Sequence, residues 1–132
     1  MKVLAVLLLA AACTAAAAQP QRCPQPAEVA QADMVGLWRA EFDGLPGATL
    51  LLEKHREYEG SLSGGINRNG VQGLVAGDID QGEFTLEESA DGKRISATFL
   101  GDVVPGSCGR EIRGTWQDEE DNPPRGFVLR KL

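Results

Sequence analysis

The sequence is poor in the residues that catalysis and metal binding most often use, with one histidine and three cysteines among 132 residues. A serine or cysteine nucleophile needs a base beside it, and a zinc site needs several His or Cys ligands. The single histidine, His55, has charged neighbours in Lys54-His55-Arg56-Glu57, which is typical of an exposed turn. We therefore expect a protein that is not an enzyme and that carries no metal and no cofactor.

Three weaker motifs have simpler explanations. Asp78-Ile79-Asp80-Gln81-Gly82 resembles the start of a calcium loop but lacks the distal Glu, so a hairpin turn explains it. Ser63-Gly64-Gly65 lacks the Lys-Ser/Thr pair of a phosphate-binding loop and also suits a hairpin. Glu87 and Glu88 are adjacent, so on a strand they would point to opposite faces and could not act together on one substrate.

Basic runs are absent, and the formal net charge is −6, which becomes −7 if Lys2 is removed with a leader. A negative chain is repelled by nucleic acid phosphates and by anionic lipid. The longest apolar run, Val3 to Ala12, is half the length of about 20 residues that a membrane-spanning helix needs. We expect no nucleic acid partner and no membrane span.

The same apolar run forms the middle of a leader. Met1-Lys2 provides a positive start, and small residues at 15–18 precede Gln19-Pro20. This order predicts a signal peptide over residues 1–18 and export to the periplasm or out of the cell. The remaining boundaries are an N-terminal segment over 19–34, with a short helix over 27–33 begun by Pro26, and a β-barrel domain over 35–132.

The cysteine pairing follows from export. Cys13 lies either in the removed leader or at a lipid attachment site, although Ala10 stands where a lipoprotein signal usually has Leu. In both cases Cys23 and Cys108 remain, and two thiols in an oxidising compartment usually pair. The sequence predicts a Cys23–Cys108 disulfide. A lipid anchor at Cys13 stays an alternative, which the mismatch at Ala10 disfavours.

From residue 35 onward, apolar and polar residues alternate with period two in short runs bounded by Gly, Pro, Asn or Asp. The short connections suit antiparallel hairpins, because parallel crossovers need a dozen or more residues. Eight strands with one apolar face can bury that face by closing into a barrel. The predicted fold is all-β, an eight-stranded antiparallel up-and-down barrel with a short N-terminal helix. The predicted strands are 35–42, 48–54, 57–64, 71–79, 83–88, 94–101, 110–117 and 126–131.

Gly36-Leu37-Trp38, at the start of the first strand, resembles the Gly-x-Trp signature of the calycin superfamily, which includes lipocalins and avidins. In that superfamily a basic side chain near the end of the last strand packs over this Trp. Arg130 and Lys131 occupy the matching region, and strand parity favours Lys131 as the inward one. The resemblance implies a lipocalin-like, ligand-binding barrel. The lipocalin Thr-Asp-Tyr type motif and an avidin-like set of polar ligands are absent, so it implies no particular ligand.

Two candidate sites follow from the barrel. An apolar small molecule would be held by inward aromatic side chains, with Gly60, Gly73 and Gly114 leaving space, although the same side chains could instead fill the barrel. A protein partner would dock on the loops at one barrel end, which carry an acidic rim and, in one predicted turn, Arg68. The ligand wall comprises Trp38, Phe42, Tyr58, Phe99 and Trp116, and the partner rim comprises Asp118, Glu119, Glu120 and Asp121.

We therefore predict an exported, non-catalytic binding module that holds an apolar small molecule or docks a protein partner. The alternative is an envelope or secreted enzyme inhibitor, of the protease or lysozyme type, that acts through the barrel loops. A rim that is merely solvated also fits the acidic loop. A hollow interior would favour the small molecule, whereas a filled interior would leave only surface sites.

Overall fold

The computed structural model describes residues 11–14 and 23–132 of the chain. Most of the predicted signal peptide over 1–18 lies outside the described residues. Within the short range 11–14, Cys13 is an exposed free thiol. Among the described residues, none of the helices combines the length and the hydropathy that a membrane span requires.

Eight strands form a closed barrel in which each strand pairs antiparallel with its neighbours in sequence and the last pairs with the first. This confirms the predicted fold. Two-residue turns such as Asn69-Gly70 join several of the strands, and both of these turn residues have the positive φ that such turns require. The strands are β1 Gly36–Phe42, β2 Leu45–Lys54, β3 Leu62–Arg68, β4 Val71–Asp80, β5 Glu83–Ser89, β6 Ala97–Val103, β7 Glu111–Gln117 and β8 Arg125–Lys131.

The inner face of the barrel is filled with side chains. Trp38, Phe84 and Phe99 expose no more than 1% of their surface, and aliphatic side chains occupy the space between them. Burial of such a side chain contributes about 1.5–3 kcal/mol. The other large, fully buried side chains of the barrel strands are Leu50, Leu52, Leu62, Ile66, Leu86, Ile112 and Leu129. The interior is therefore a packed core.

The third strand starts at Leu62 and not at residue 57, where alternation predicted it. The reason is His55, whose Nδ1 accepts hydrogen bonds of 3.1 Å from two backbone N–H groups that follow it. The imidazole ring also packs on Tyr58, with 4.8 Å between ring centres. This turn places Tyr58 outside the barrel, where it is 64% exposed. Ile66 and Arg68 take the inward positions of the strand instead.

The sixth strand also starts later than predicted, at Ala97 and not at residue 94. Asp91 Oδ1 accepts hydrogen bonds from the backbone N–H groups of Lys93 (2.8 Å) and Arg94 (2.9 Å). An Asp side chain that bonds to its own downstream backbone stabilises a turn in place of a strand. Ile95 consequently lies on the outer surface, in a loop that leans over β4 and β5.

The N-terminal segment closes one end of the barrel, which we call the floor, as two short turns and not as one helix over 27–33. A 3₁₀ helix, Pro26–Glu28, and helix α1, Gln31–Met34, are separated because Val29 is extended and buried beside Gly109. The predicted Cys23–Cys108 disulfide is present, with 4.9 Å between Cα atoms. It joins this segment to the loop between β6 and β7, so a covalent bond supplements the packing of the floor.

Candidate functional site

Three of the five predicted ligand-wall residues meet at the end opposite the floor, which we call the mouth. The ring centre of Phe42 lies 5.8 Å from that of Phe99 and 5.3 Å from that of Trp116. Aromatic pairs at such distances contribute about 0.5–1.5 kcal/mol beyond the area they bury. Phe42 and Trp116 are only 8% and 6% exposed, so the rings fill the mouth and do not line an empty pocket.

Arg68 reaches across the mouth from the end of β3. Its guanidinium carbon lies 4.7 Å from the ring centre of Phe42 and 4.9 Å from that of Trp116. Arg68 Nε and Nη2 donate to Glu88 Oε1 and Oε2, at 3.0 Å and 2.8 Å, in a bidentate pair. Trp116 Nε1 also donates to Glu88 Oε2, at 3.2 Å. We call Phe42, Arg68, Glu88 and Trp116 the mouth cluster.

The mouth cluster makes a buried carboxylate tolerable. Glu88 is 8% exposed, and an unpaired carboxylate at such a site is strongly unfavourable. Three charge-assisted hydrogen bonds and an adjacent guanidinium offset this cost. The Arg68 side chain keeps 25% of its surface exposed, so the cluster meets solvent at Arg68. No buried side-chain nitrogen or oxygen in the described ranges lacks a hydrogen bond.

Sequence reasoning missed both charged members of the mouth cluster. The inward position of Glu88 could have been predicted, because Phe84, Leu86 and Glu88 alternate onto the inner face of one strand. That of Arg68 could not, because the misplaced third strand put it in a turn of the rim, whereas it lies on β3 with its side chain across the mouth. The predicted barrel end of Arg68 is correct, but its assignment to a turn is wrong.

Trp38 lies at the floor, far along the barrel from the mouth cluster. Its Nε1 donates a 2.8 Å hydrogen bond to the carbonyl of Met34. Lys131 is directly opposite Trp38 on β8, as strand parity predicted, and its Nζ donates to the carbonyl of Asp33 at 2.6 Å. These contacts hold the N-terminal segment against the barrel, and Trp38 is fully buried beneath it.

The remaining features of the predicted ligand wall do not provide room inside the barrel. Tyr58 lies outside, and Gly60 belongs to the same exposed loop. A Cβ at Gly114 would overlap the carbonyl of Leu100, and one at Gly73 would lie 3.1 Å from Ile66 Cγ2. These two glycines permit close packing, so the prediction that they leave space for a ligand is wrong.

All four residues of the predicted partner rim are exposed, in the loop after β7. Asp118 Oδ1 accepts hydrogen bonds from Asn122 Nδ2 (3.1 Å) and from the backbone N–H of Glu119 (2.9 Å), and these bonds lower the pKa of Asp118. In the β5–β6 loop, hydrogen bonds from the backbone N–H groups of Arg94 and Lys93 lower the pKa of Asp91. Two of the loops at the mouth, β5–β6 and β7–β8, are thus each held by an ionised Asp side chain.

A second concave surface lies on the outside of the barrel, across β3 and β4. It has a volume of about 710 Å³, and the backbone of Gly64, Gly65 and Gly73 forms part of its base. Leu51 of β2 borders it on one side, and Leu74 with the β5–β6 loop borders it on the other. We call this surface the outer groove. Its lining also includes Glu53, Arg56, Glu87, Lys93, Arg94 and Ile95.

Gly65 is the position that makes the outer groove concave. Strand register places Leu51, Gly65 and Leu74 side by side on three neighbouring strands, all facing outward. The two leucines are 42% and 57% exposed. A Cβ at Gly65 would meet only the Gly73 carbonyl, at an ordinary contact distance of 3.5 Å. Ser63-Gly64-Gly65 therefore belongs to strand β3 and forms part of the base of the outer groove. The hairpin predicted for it is wrong.

Within residues 23–132, the mouth cluster and the outer groove are two arrangements with the geometry of a recognition site. In the part of the chain that the structure describes, no three His, Cys, Asp or Glu side chains are placed to hold a metal ion. No protein-family model matches this chain, and no curated protein matches it in sequence.

Proposed function

We propose that this protein is an exported, non-catalytic binding module that docks a segment of a protein partner in the outer groove. The observation that carries the proposal is the filled interior, beside a concave apolar surface on the outside. Export to the periplasm or out of the cell is supported by the leader pattern over 1–18 and by the Cys23–Cys108 disulfide. Such bonds persist in oxidising compartments.

The outer groove has the size and character of a recognition surface. Its volume of about 710 Å³ falls within the range of roughly 300–1,000 Å³ that ligand clefts span. Leu51, Leu74 and Ile95 are all more than 40% exposed around it. Exposed apolar side chains gathered at one concave place mark interaction sites more often than scattered ones do.

A protein segment suits the outer groove better than a lipid does. The groove is lined by side chains of both charges, with Glu53 and Arg56 near β2 and Lys93 and Arg94 on the β5–β6 loop. A lipid with one head group would leave most of these charges without a partner. An extended polypeptide can place apolar side chains on Leu51 and Leu74 and charged side chains of both signs along the edges.

The calycin resemblance supports the scaffold in this proposal. The barrel closes in sequence order, Gly36-Leu37-Trp38 opens its first strand, and Lys131 lies opposite Trp38. Small closed barrels either enclose a ligand or fill with side chains. We propose that this chain is a calycin-like barrel of the filled kind, whose binding surface has moved to the outside.

Filling the groove tests the proposal. Peptides selected on the native protein from a displayed random library would be synthesised, and their dissociation constants measured by fluorescence anisotropy. Gly65→Val adds bulk between Leu51 and Leu74 without a backbone clash, so it should weaken binding at least about tenfold. Thr115→Val, which replaces a hydroxyl by a methyl group on the outer face of β7, should leave binding unchanged.

Two results would count against groove docking. Selected peptides that bind Gly65→Val as tightly as the native protein would place their site elsewhere. Self-association of the native protein in sedimentation, abolished by Gly65→Val, would make the groove an interface between copies of this chain and not a site for another protein.

The order in the loop after β7 favours a second candidate function, inhibition of an exported protease or lysozyme. A loop that Asp118 already fixes loses little conformational entropy when it docks. The protein would be assayed against a panel of such enzymes. Inhibition that Asp118→Ala weakens and Gly65→Val leaves intact would support the loop, whereas no inhibition at micromolar protein would exclude this candidate.

A further inference from the structure

We propose that three members of the mouth cluster, Phe42, Glu88 and Trp116, form a recognition site for the guanidinium group of another molecule, and that the fourth, Arg68, occupies this site in the free protein as an intramolecular competitor. The site uses side chains of the inner face, whereas the groove uses the outer face. The guanidinium site therefore goes beyond the function proposed above, and its test is independent of the test of the outer groove.

The geometry around the Arg68 guanidinium is that of a cation-binding cage. Two aromatic rings, of Phe42 and Trp116, lie 4.7 Å and 4.9 Å from its central carbon. Aromatic faces carry partial negative charge and attract cations at distances below about 6 Å. The Glu88 carboxylate completes the cage at its buried side. Phe42, Trp116 and Glu88 come from strands other than that of Arg68, so the cage persists when Arg68 leaves.

The cage is shaped for a planar guanidinium and not for an ammonium ion. Glu88 presents both carboxylate oxygens to two N–H groups of one guanidinium, at 3.0 Å and 2.8 Å. Trp116 Nε1 holds one of these oxygens at 3.2 Å and so fixes the carboxylate plane. An ammonium ion is a compact point charge and cannot form the two parallel hydrogen bonds of a planar guanidinium while it also contacts both rings.

Arg68 can leave the cage without disturbing the sheet. Its backbone is paired with Val71 beside the Asn69-Gly70 turn, and the guanidinium is separated from that backbone by a flexible side chain. The side chain is 25% exposed, so a competing group can approach from solvent. An exchange of one guanidinium for another keeps Glu88 paired, which avoids the cost of an unpaired buried carboxylate.

The charge around the mouth favours an incoming cation. Asp43, Asp91 and the partner rim at 118–121 all lie in loops at this end of the barrel. Clustered carboxylates raise the local concentration of cations and speed their association.

A titration read at the two indole N–H groups tests the site. The chain has two tryptophans, of which Trp116 belongs to the mouth cluster and Trp38 lies at the floor as an internal control. In Arg68→Ala, methylguanidinium should shift the Trp116 indole resonance saturably and leave that of Trp38 unchanged. Methylammonium and sodium chloride at equal concentration should have little effect. The double variant Arg68→Ala/Glu88→Gln should bind at least about tenfold more weakly.

The native protein supplies the second measurement. A tethered competitor acts at millimolar effective concentration, so native Arg68 should weaken methylguanidinium binding relative to Arg68→Ala, by about tenfold for a dissociation constant of about 0.1 mM in Arg68→Ala. A short peptide with one central arginine is the second probe. Tighter binding of the peptide than of methylguanidinium would identify the ligand as an arginine on a partner protein. Equal binding would identify a free guanidinium compound, and both results support the site.

Either of two results would overturn the proposal. The first is a folded Arg68→Ala protein whose Trp116 resonance responds to methylguanidinium no more than to sodium chloride. The second applies if Arg68→Ala does not fold: in the native protein, the Arg68 Nε–H and Trp116 resonances would then show no saturable shift with the arginine peptide. The mouth cluster would in that case be a structural plug only.

Discussion

At each end of the barrel an indole N–H and a basic side chain make the closing hydrogen bonds, but the acceptors differ in kind. At the floor, Trp38 and Lys131 donate to backbone carbonyls of the N-terminal segment. At the mouth, Trp116 and Arg68 donate to the side-chain carboxylate of Glu88. The floor is thus closed by the backbone of the N-terminal segment, and the mouth is closed by side chains of the barrel strands.

This difference decides which end can open. The floor acceptors belong to a segment that the Cys23–Cys108 disulfide ties to the β6–β7 loop, so opening requires a backbone displacement against a covalent bond. At the mouth, rotation of the Arg68 side chain suffices, and side-chain rotations are far faster than local unfolding. A binding site that exchanges its occupant therefore belongs at the mouth and not at the floor.

The largest effect should come from cutting the covalent bond at the floor. Cys23→Ser together with Cys108→Ser opens a cross-link between residues 85 positions apart, and we expect a loss of about 4 kcal/mol in the free energy of unfolding. The measurement is urea denaturation followed by circular dichroism. In the precursor, which keeps residues 1–18, Cys13→Ser at the exposed free cysteine is the matched control and should change nothing.

A loss below about 1 kcal/mol in the double serine variant would contradict the comparison. Packing of Val29 and Met34 under the barrel would then suffice to close the floor. The two ends would then differ in their hydrogen-bond acceptors, and the disulfide would not be what keeps the floor closed.

A smaller effect is expected at the mouth. Arg68→Ala leaves the Glu88 carboxylate buried with one remaining donor, and we expect a loss of about 2–4 kcal/mol. Arg68→Met combined with Glu88→Leu removes both charges and should cost less than Arg68→Ala alone. Equal or greater loss in this double variant would mean that the ion pair contributes more to stability than apolar packing at the same place.

The matched control for the mouth pair is an ion pair on the outer face. Arg130 Nε lies 3.0 Å from Glu111 Oε1 and Arg130 Nη1 lies 3.3 Å from Glu41 Oε2, and the Arg130 side chain is about half exposed. Exposed pairs of this kind contribute less than about 1 kcal/mol, so Arg130→Ala should have a small effect. Urea denaturation of the three variants beside the native protein makes the comparison.

Sequence alternation was sufficient for the barrel and insufficient for its binding surfaces. Period two specifies which face is inward, and it placed Trp38, Phe42 and Phe99 correctly. It does not detect a turn stabilised by side-chain acceptance of backbone N–H groups, as at His55, and the resulting shift concealed Arg68.

The outer groove was concealed for a related reason. Gly65 occupies a strand position where the absence of a side chain makes a concavity, yet in sequence a strand glycine and a turn glycine look alike. Whether eight strands enclose a ligand or a packed core depends on the summed volumes of inward side chains and on shear, which single residues do not specify.

The smallest predicted effect is the pH dependence of the loop after β7, which Asp118 holds. Hydrogen bonds from Asn122 and Glu119 lower the folded-state pKa of Asp118 below its ordinary value of 3.8. Folding therefore favours the ionised form, so its contribution to stability is fully present above that value and is lost as pH falls through the folded pKa. Carboxyl resonances should show Asp118 titrating below 3.8, and Asp118→Asn should reduce the acid sensitivity of the loop, whereas Asp121→Asn in the same loop should not. Titration of Asp118 at or above 3.8 would mean that its hydrogen bonds do not order the loop, and the mouth would then be held by the mouth cluster alone.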